Sequence, residues 1–436
     1  MPALGAQESA YEIQMTAIPA VVRMQLRGFR LETDAHAKLV EYLHDERFAV
    51  MAEYAKACAD CGHMTLAAAS VPSTPNERTA LLTTLLTEPE LDSWTRTEKS
   101  GRLSTKRSDM RLAAHYQPIA ALTKIAKVDK ILTSFGHTLA AKISPVTGRI
   151  HASYKVAGTL SGRASCSGPN LQQIPRDKRF RSLFLPDHGN VLVVADYSSM
   201  ELRAAAHISG DPAMTEAFER GEDLHRITAA RMSGKDPADV TDEERNSAKR
   251  VNFGAIYGMG AAGLVKSAWD AYGTVLSQTE ATRWLTAFAE AYPIFDRWRR
   301  EHAARCAERR YIVIGKDAAK GVGRRYPLPR LPEGKSSYTV SCNLPVQGAC
   351  ADASMLALAA IDELLFEHGI DGGPVAWLHD EIVLEVPTEH AVKAAELLVR
   401  AMLDAFAETF PGAPLNGLVE ANSGLNWAAA KEKKAA

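Results

Sequence analysis

The stretch that decides the fold is "PVAWLHDEIVLEVP", residues 374–387. Two apolar runs flank His379 and Asp380, so the stretch predicts two β-strands joined by a tight turn at those two residues. A second apolar run, "NVLVVADYS" at residues 190–198, predicts a buried strand that ends at Asp196. Each predicted element therefore presents an aspartate at the point where its apolar run stops.

The two aspartates are candidates for a metal site. A buried carboxylate is costly unless it is paired or bound to a metal, and two of them on neighbouring strands would form a hard oxygen site suited to Mg²⁺. Two such ions about 3.5–4 Å apart can activate an attacking oxygen and stabilise a leaving one in phosphoryl transfer. For a single aspartate, opening a turn or capping a helix is the commoner role. The metal interpretation of Asp196 and Asp380 therefore depends on a second pattern.

That pattern is "RNSAKRVNFGAIYG", residues 245–258, which places Arg245, Lys249, Phe253 and Tyr257 at four-residue intervals. On a helix such positions drift by about 40° per step and form a slanting track along one side. Ordinary amphipathic helices fill that face with aliphatic residues. The cations could hold a triphosphate, Lys249 could protonate departing pyrophosphate, and the two rings offer flat surfaces for sugar and base. The track matches a nucleoside triphosphate laid lengthwise.

Composition limits the class of protein but does not choose the partner. A chain of 436 residues with 46% hydrophobic content allows about two to three units with real cores. A net charge of −1 is compatible with one local polyanion-binding groove. The six cysteines are scattered and favour a reducing compartment, and "CADCGH" (residues 58–63) lacks the second half of a structural zinc site. Neither a signal peptide nor a run of membrane-spanning length is present, so we expect a cytosolic protein with no membrane partner.

The remaining patterns suggest a helical arm followed by mixed α and β structure. Residues 35–61 and 119–132 have helical periodicity, and helical patterns dominate again from 211 to about 308. The Lys/Arg-rich segment 96–111 predicts an exposed, mobile connection, for which a solvated loop and a phosphate-contacting tip are equally open. Residues 144–156 alternate like a strand. Three aromatic residues within the helical block are assigned to the core: Trp284, Tyr292 and Trp298.

Several of these motifs resemble those of one protein family. "DYSSMELR" (196–203), the 245–258 stretch and "LHDE" (378–381) are similar, in order, to the three signature motifs of family A DNA polymerases, the bacterial DNA polymerase I family. Further similar segments are "SGRASCSGPNLQQIP" (161–175), "GEDLHRITA" (221–229), "NLPVQGACAD" (343–352) and, before the thumb, "AVVRMQLRGFRLETDA" (20–35). The resemblance covers the polymerase region and is weak before residue 150.

The resemblance implies an α+β fold with a right-hand polymerase architecture: an antiparallel-sheet palm, mainly helical fingers and a helical thumb. By position, residues 1–34 would be a lead-in that forms part of the palm, 35–140 the thumb, 141–211 the first part of the palm, 212–335 the fingers and 336–436 the second part of the palm.

The resemblance also implies roles for single residues. Asp196 and Asp380 would bind the metal ions with help from the Tyr197 backbone carbonyl, and Glu381 would be an auxiliary acid beside the primer end. Glu201 matches a steric gate that excludes a ribose 2′-hydroxyl, so deoxynucleotides would be preferred. His225 matches a residue that contacts the nucleotide's phosphates. Arg163 and Gln347 match residues that donate to minor-groove acceptors. Asn170, Gln172 and His379 match residues that support the primer–template. A helix surface for His225 and a loop cation for Arg163 are the plainer alternatives.

Three departures from the family pattern bear on these expectations. Ser199 and Met200 stand where many relatives carry Gln-Ile, which would loosen the nucleotide pocket slightly. Phe253 stands where some relatives have Tyr, which implies discrimination against dideoxy terminators. Only the lead-in, residues 1–34, precedes the predicted thumb, and it contains no acidic cluster for two metals, so we expect no proofreading by this chain. A trimmed chain, a naturally minimal enzyme and one product of a separated gene would each account for this.

The sequence thus predicts a DNA-directed DNA polymerase, a nucleotidyltransferase that adds deoxynucleotides from dNTPs to a primer 3′ end. We expect two Mg²⁺ ions, with Mn²⁺ able to substitute, and a monomer bound to primer–template DNA in the cytoplasm of a bacterium or of a phage-infected host. A separate exonuclease or processivity factor could act with it. The alternatives are a catalytically inactive DNA-binding accessory protein, which the presence of Asp196 and Asp380 disfavours, and a single-chain RNA polymerase, which Glu201 disfavours. Replication and repair are both open as settings.

Overall fold

The computed structural model describes residues 5–98, 100–272, 276–315, 318, 323–328 and 337–432. The chain divides into two units. The sheet unit comprises Met1–Glu32, Lys142–Val265 and Ser277–Ala436, and the helical unit comprises Thr33–Ala141 and Lys266–Leu276. The five segment boundaries expected from the sequence stay predictions.

The helical unit confirms both helices expected in its sequence. Its helices are α2 (Thr33–Asp60), α3 (Met64–Ala68), α4 (Pro75–Leu85), α5 (Glu88–Ser93), α6 (Arg107–Met110), α7 (Gln117–Phe135) and α8 (His137–Ala140). A capping box starts α4, since Thr74 Oγ1 accepts from the Glu77 amide at 3.3 Å and the Glu77 carboxylate accepts from the Thr74 amide at 3.0 Å. The core of the unit joins α2, α4 and α7 through Tyr54, Leu82 and Ile119.

The expectation of an exposed connection at residues 96–111 is wrong for part of that segment. Leu103, Ser104 and Met110 are buried, and the Trp94 indole donates to the Ser104 carbonyl at 2.9 Å. An isolated β-bridge joins Arg96 to Leu103. The apolar residues cover the core beneath them, which the high Lys and Arg content of the segment concealed. Lys99 lies outside the described residues.

The sheet unit contains most of the chain and all of the predicted site residues. In chain order its helices and strands before the long helical block are α1 (Gly5–Arg27), β1 (Phe29–Leu31), β2 (Arg149–Ile150), β3 (Ser153–Lys155), β4 (Ser165–Ser167), α9 (Lys178–Arg181), β5 (Phe184–Leu185) and β6 (Asn190–Tyr197). Residues 144–156 therefore form two short strands, where the alternation had predicted one. β2 pairs with β1, and β3 pairs with β4.

The helical block expected at residues 211–308 is confirmed. It and its surroundings comprise α10 (Met200–Ser209), α11 (Pro212–Glu219), α12 (Leu224–Ser233), α13 (Asp242–Ile256), α14 (Ala261–Tyr272), α15 (Gln278–Ala291), α16 (Pro293–Arg309), β7 (Tyr311–Ile314) and β8 (Arg324–Pro327). Tyr292 is fully buried as expected, whereas Trp284 and Trp298 are only partly buried. Trp298 stacks on His302 with ring centroids 5.0 Å apart.

A four-stranded antiparallel sheet, in the order β11-β6-β10-β9, organises the unit. The last elements are α17 (Tyr338–Glu367), β9 (Gly373–Leu378), β10 (Glu381–Pro387), α18 (Ala391–Thr409) and β11 (Val419–Gly424). The predicted hairpin is confirmed, with His379 and Asp380 as its two-residue turn. His379 has a φ of 60°, which is uncommon for a residue with a Cβ and fits a tight hairpin turn. α17 packs along α18, and α18 contacts β6 and β11.

The two strands of the hairpin carry apolar runs because both of their faces are buried. Every residue of β9 is buried, and so is every residue of β10 except Pro387. The one charge within β10's apolar run is Glu385, which is 3% exposed. It forms an ion pair with Arg149 and accepts from the Asp187 amide at 2.8 Å and the Asn190 side chain at 3.0 Å. Removing Arg149 would leave a buried charge unpaired, at a cost of about 3–5 kcal/mol.

Two further observations bear on class. The six cysteines are free, with Cys58 buried on α2 and Cys61 exposed in the following turn, as expected for a chain without a disulfide framework. Among the described residues, no helix combines the length and apolarity that crossing a bilayer requires. Helices together with small antiparallel sheets confirm the predicted α+β class.

Candidate active site

The sheet brings the two predicted aspartates together at one edge. Asp196, near the end of β6, is the register partner of Glu381, the first residue of β10, and Asp380 precedes Glu381 in the turn. The Tyr197 amide donates to the Asp380 carbonyl at 3.2 Å, so the two acidic positions are held by backbone contacts. Since antiparallel register fixes which residues face each other, this proximity follows from the pairing of β6 with β10.

The electrostatics of the pair fit a cation site. Burial, reinforced by the charge of Asp196, raises the pKa of Asp380 to about 7. Burial also raises the pKa of Asp196, against the opposing effect of Lys431. The charge of Asp196 disfavours ionisation of Asp380, and a divalent ion would favour it by adding positive charge beside both carboxylates.

The set of oxygen donors is small. Among the described residues, no group of three or more His, Cys, Asp or Glu is arranged to hold a metal ion. The Tyr197 side chain is turned into the core, where its hydroxyl donates to the Met402 carbonyl at 2.7 Å, so Tyr197 has only its backbone to offer. Asp196, Asp380 and the Tyr197 carbonyl stay the predicted metal ligands.

Glu381, predicted as an auxiliary acid, is buried and engaged by the protein itself. Its carboxylate accepts from the Trp427 indole at 2.6 Å and from Lys431 Nζ at 2.5 Å, and Arg181 Nη1 lies 3.3 Å away. Lys431 Nζ also donates to Asp196 Oδ2 at 3.0 Å. Arg181, Trp427 and Lys431 were not predicted as site residues.

The helix that carries the cationic stripe is α13, and it begins with a capping box formed by Thr241 and Glu244. It ends at Ile256, so Arg245, Lys249 and Phe253 lie on the helix and Tyr257 follows at its C-cap. This corrects the expectation of four residues on one helix. Because the chain continues in a turn after Ile256, the tyrosine still lies near Phe253, with ring centroids 6.2 Å apart.

The charges on α13 extend to the aspartate pair. Arg245 Nε donates to Asp223 Oδ2 at 2.5 Å. Lys249 has no ion-pair partner within the part of the chain that the structure describes. Burial lowers its pKa, and the positive charges of Arg245 and Arg176 lower it further, whereas Asp196 raises it. Lys249 and Asp196 therefore act on each other, which places the middle of the stripe in the field of the carboxylates.

Glu201, the predicted steric gate, is 9% exposed in the first turn of α10. Its carboxylate accepts from the Tyr257 hydroxyl and forms an ion pair with Arg163. The Gln347 side chain also bonds to Tyr257. Burial and then Glu201 raise the pKa of Tyr257, so its hydroxyl stays protonated as a donor. Four residues expected near the nucleotide or the minor groove thus form one connected group.

His225 lies against the stripe, with its ring centroid 5.9 Å from that of Phe253. The Asn252 side-chain amide donates to His225 Nδ1 at 2.9 Å, which leaves the ring proton on Nε2. Burial lowers the pKa of His225 to about 4, with Lys249 and Arg245 adding to the effect and Asp223 opposing it. His225 is therefore a neutral donor at ordinary pH.

The residues predicted to support the primer–template have local contacts as well. Asn170 caps a short 3₁₀ turn by accepting from the Gln172 amide at 3.1 Å, and the Gln172 side chain donates to the Trp377 carbonyl at 3.4 Å. The His379 side chain is exposed. Sequence reasoning missed Arg176, an exposed cation whose charge acts on Asp196, Lys249 and His379. The signal available was its position directly after "PNLQQIP".

Comparison with known proteins shows the family of the chain. The sequence profile of DNA polymerase family A matches residues 49–429, and the chain belongs to that family. It is 31% identical over 394 residues to DNA polymerase I of Aquifex aeolicus, covering 89% of this chain and 62% of that protein. It is 30% identical over 431 residues to the thermostable DNA polymerase I of Thermus aquaticus, covering 97% of this chain and 48% of that protein. The chain thus spans about half the length of such relatives.

A solved structure shows the same fold. The POL domain of Pol1 from M. smegmatis, in complex with DNA primer-template and dNTP, superposes with a TM-score of 0.78 at 24% identity. The match covers 96% of this chain and 70% of that one. The predicted family and its right-hand polymerase fold are therefore confirmed.

Proposed function

We propose that this chain catalyses template-directed DNA synthesis, transferring deoxynucleotides from dNTPs to a primer 3′ end. The observation that carries the proposal is the position of Asp196 and Asp380 at one sheet edge with Lys249 of α13 in their electrostatic field. Membership of family A supports it, and so does the primer-template and dNTP bound by the M. smegmatis domain.

The aspartate pair is proposed to hold two divalent ions, as family A polymerases generally use. Asp196, Asp380 and the Tyr197 carbonyl would be the protein's ligands, with Mg²⁺ as the resident ion and Mn²⁺ as a substitute. When bound, such ions activate the primer hydroxyl and stabilise the departing pyrophosphate.

The cations of α13 are proposed to bind and orient the triphosphate. Lys249 is the candidate proton donor to pyrophosphate, since its lowered pKa brings it closer to the range of an effective general acid. Arg245 would exchange its contact with Asp223 for a phosphate, and the neutral His225 would donate from Nε2. Phe253 would pack on the sugar.

Glu201 is proposed to exclude ribonucleotides. It is buried and held by Tyr257 and Arg163, so its carboxylate cannot swing aside without breaking both contacts. Arg163 and Gln347 would check the minor groove of the new pair, and Asn170, Gln172 and His379 would support the primer–template. That the chain does not proofread, and that it is cytoplasmic and monomeric, stay predictions.

Primer extension tests the proposal. Asp380→Ala should lower the extension rate with dNTPs by at least on the order of 10²–10³-fold, because it removes charge stabilisation at the reacting centre. Asp371→Asn is the matched control, since Asp371 is exposed and just precedes β9 at the opposite end of the hairpin. Equal extension by Asp380→Ala and wild type would refute the metal site, and DNA binding without any extension by wild type would favour an inactive accessory protein.

The same assay tests the gate. Glu201→Ala should raise the rate of rNTP addition relative to dNTP addition, while circular dichroism checks that the variant folds. Robust rNTP addition by the wild-type chain would refute the gate and favour an RNA polymerase.

A further inference from the structure

Lys431 makes a contact that the proposed reaction does not use. Its ammonium bridges two acidic residues, donating to Glu381 Oε2 at 2.5 Å and to Asp196 Oδ2 at 3.0 Å. Its side chain is only 29% exposed, unlike the lysine of a typical surface ion pair. The Asp196 carboxylate is a proposed metal ligand, so Lys431 occupies one of its two oxygens.

The fold holds this lysine in place. It ends a 3₁₀ turn, Ala429–Lys431, which is anchored by the fully buried Trp427. The Trp427 amide donates to the Phe184 carbonyl at 3.0 Å, and its indole donates to Glu381. Gly424 of β11 permits the close approach of the turn, since a Cβ there would lie 2.5 Å from the Ala430 nitrogen. The burial of Trp427 and the close approach of Gly424 to Ala430 thus hold the turn so that Lys431 contacts the two carboxylates.

Coulomb's law sets the consequence. A metal ion bound to Asp196 would lie about 2 Å from the carboxylate oxygen, and so within roughly 5 Å of the ammonium that contacts the same oxygen. Like charges at that separation repel each other enough to change a binding constant by on the order of tenfold or more, even at an effective dielectric constant near 20. The ammonium and the divalent ion therefore compete for the same carboxylate.

We propose that Lys431 is a built-in counter-ion that holds Asp196 and Glu381 together in the absence of metal and weakens the binding of divalent cations at Asp196. The inference rests on the proposed metal site and deepens it: Lys431 is a positioning residue that sets how tightly the ions bind. An ordinary surface ion pair would contribute little to stability and would not affect metal affinity.

Mn²⁺ binding measured by electron paramagnetic resonance, without DNA or dNTP and at one fixed pH, tests this directly. Lys431→Met should tighten Mn²⁺ binding by on the order of tenfold, because the competing charge is gone. Lys431→Gln should behave alike, and Lys431→Arg, which keeps the charge, should stay within about twofold of wild type. Lys178→Met is the matched control. Lys178 forms an exposed ion pair with Glu432, the residue that follows Lys431 in the sequence.

A stability measurement gives an independent readout. In EDTA, Lys431→Met should melt at a lower temperature than wild type, because Lys431 no longer offsets the repulsion between Asp196 and Glu381. Added Mn²⁺ should raise its melting temperature by more than it raises that of wild type.

The outcomes separate this inference from the proposed function. Mn²⁺ binding that is equal or weaker in Lys431→Met than in wild type would overturn the role of Lys431. If Asp380→Ala bound Mn²⁺ as tightly as wild type does, that result would instead refute the metal site itself.

Discussion

Replacing Asp380 with Asn tests the electrostatics of the site without any assay of catalysis. Asparagine has nearly the shape of aspartate but carries no charge. In the folded protein, burial and Asp196 raise the pKa of Asp380 from 3.8 to about 7. The folded state therefore binds this proton more tightly than the unfolded state does, and the ionised carboxylate costs stability. In EDTA, we expect Asp380→Asn to be more stable than wild type.

The pH dependence follows from the same two pKa values. The cost of the carboxylate begins near pH 4, increases as the pH rises, and is complete above pH 7. The rise of the pKa from 3.8 to about 7 corresponds to about 4 kcal/mol when the group is fully ionised. More than about 1 kcal/mol of this cost is already present at pH 5. The stability of Asp380→Asn relative to wild type should therefore grow by about 2–3 kcal/mol between pH 5 and pH 8.

Urea unfolding in EDTA, followed by tryptophan fluorescence, measures this difference. Trp377 and Trp427 are buried in the sheet unit and report on its unfolding. Asp371→Asn serves as the control and should differ from wild type by no more than about 0.5 kcal/mol at either pH. Mg²⁺ at pH 8 should stabilise wild type and leave Asp380→Asn almost unchanged. A stability difference that is the same at pH 5 and pH 8 would refute the reasoning.

Two further predictions concern Phe253 of α13 and the packing of α17 against β7. Phe253→Tyr should raise dideoxynucleotide incorporation relative to dNTP incorporation by roughly tenfold, because the added hydroxyl contributes one hydrogen bond. Terminator competition on a defined template measures this ratio. An unchanged ratio would place Phe253 away from the sugar. Gly348→Ala should destabilise the protein by about 1–3 kcal/mol in thermal unfolding, because its Cβ would overlap Ile314 Cγ2. Combining it with Ile314→Ala, which removes that methyl group, should cost less than the sum of the two single changes.

The sequence predicted the elements in which local pattern and burial agree. β9 and β10 are buried on both faces, so their apolar runs have no alternation and stand out even in a single sequence. α13 was predicted because a stripe of cations and rings at helical spacing has no role in ordinary core packing. Its end was placed one residue too far, since Tyr257 is the C-cap, whose amide still donates to the Phe253 carbonyl while its own backbone leaves the helical conformation.

The partners of the charged residues could not be predicted. Lys431 lies 235 positions from Asp196, and Arg181 lies 200 positions from Glu381. These contacts depend on strand register and on the packing of a terminal turn, and neither leaves a periodic signal in the sequence. The same holds for residues 96–111, where a few apolar side chains under a polar surface decide burial.

These partners change how the energetics of nucleotide binding should be understood. Arg245 already contacts Asp223, and Arg163 and Tyr257 already contact Glu201. A triphosphate that binds Arg245 must replace a carboxylate, so the net gain is the difference between two charge-assisted contacts and smaller than either alone. Lys249 differs, because it has no ion-pair partner among the described residues and its lowered pKa reflects burial beside other cations. Its ammonium gains a counter-charge without losing one, so we expect Lys249 to contribute more to triphosphate binding than Arg245 does.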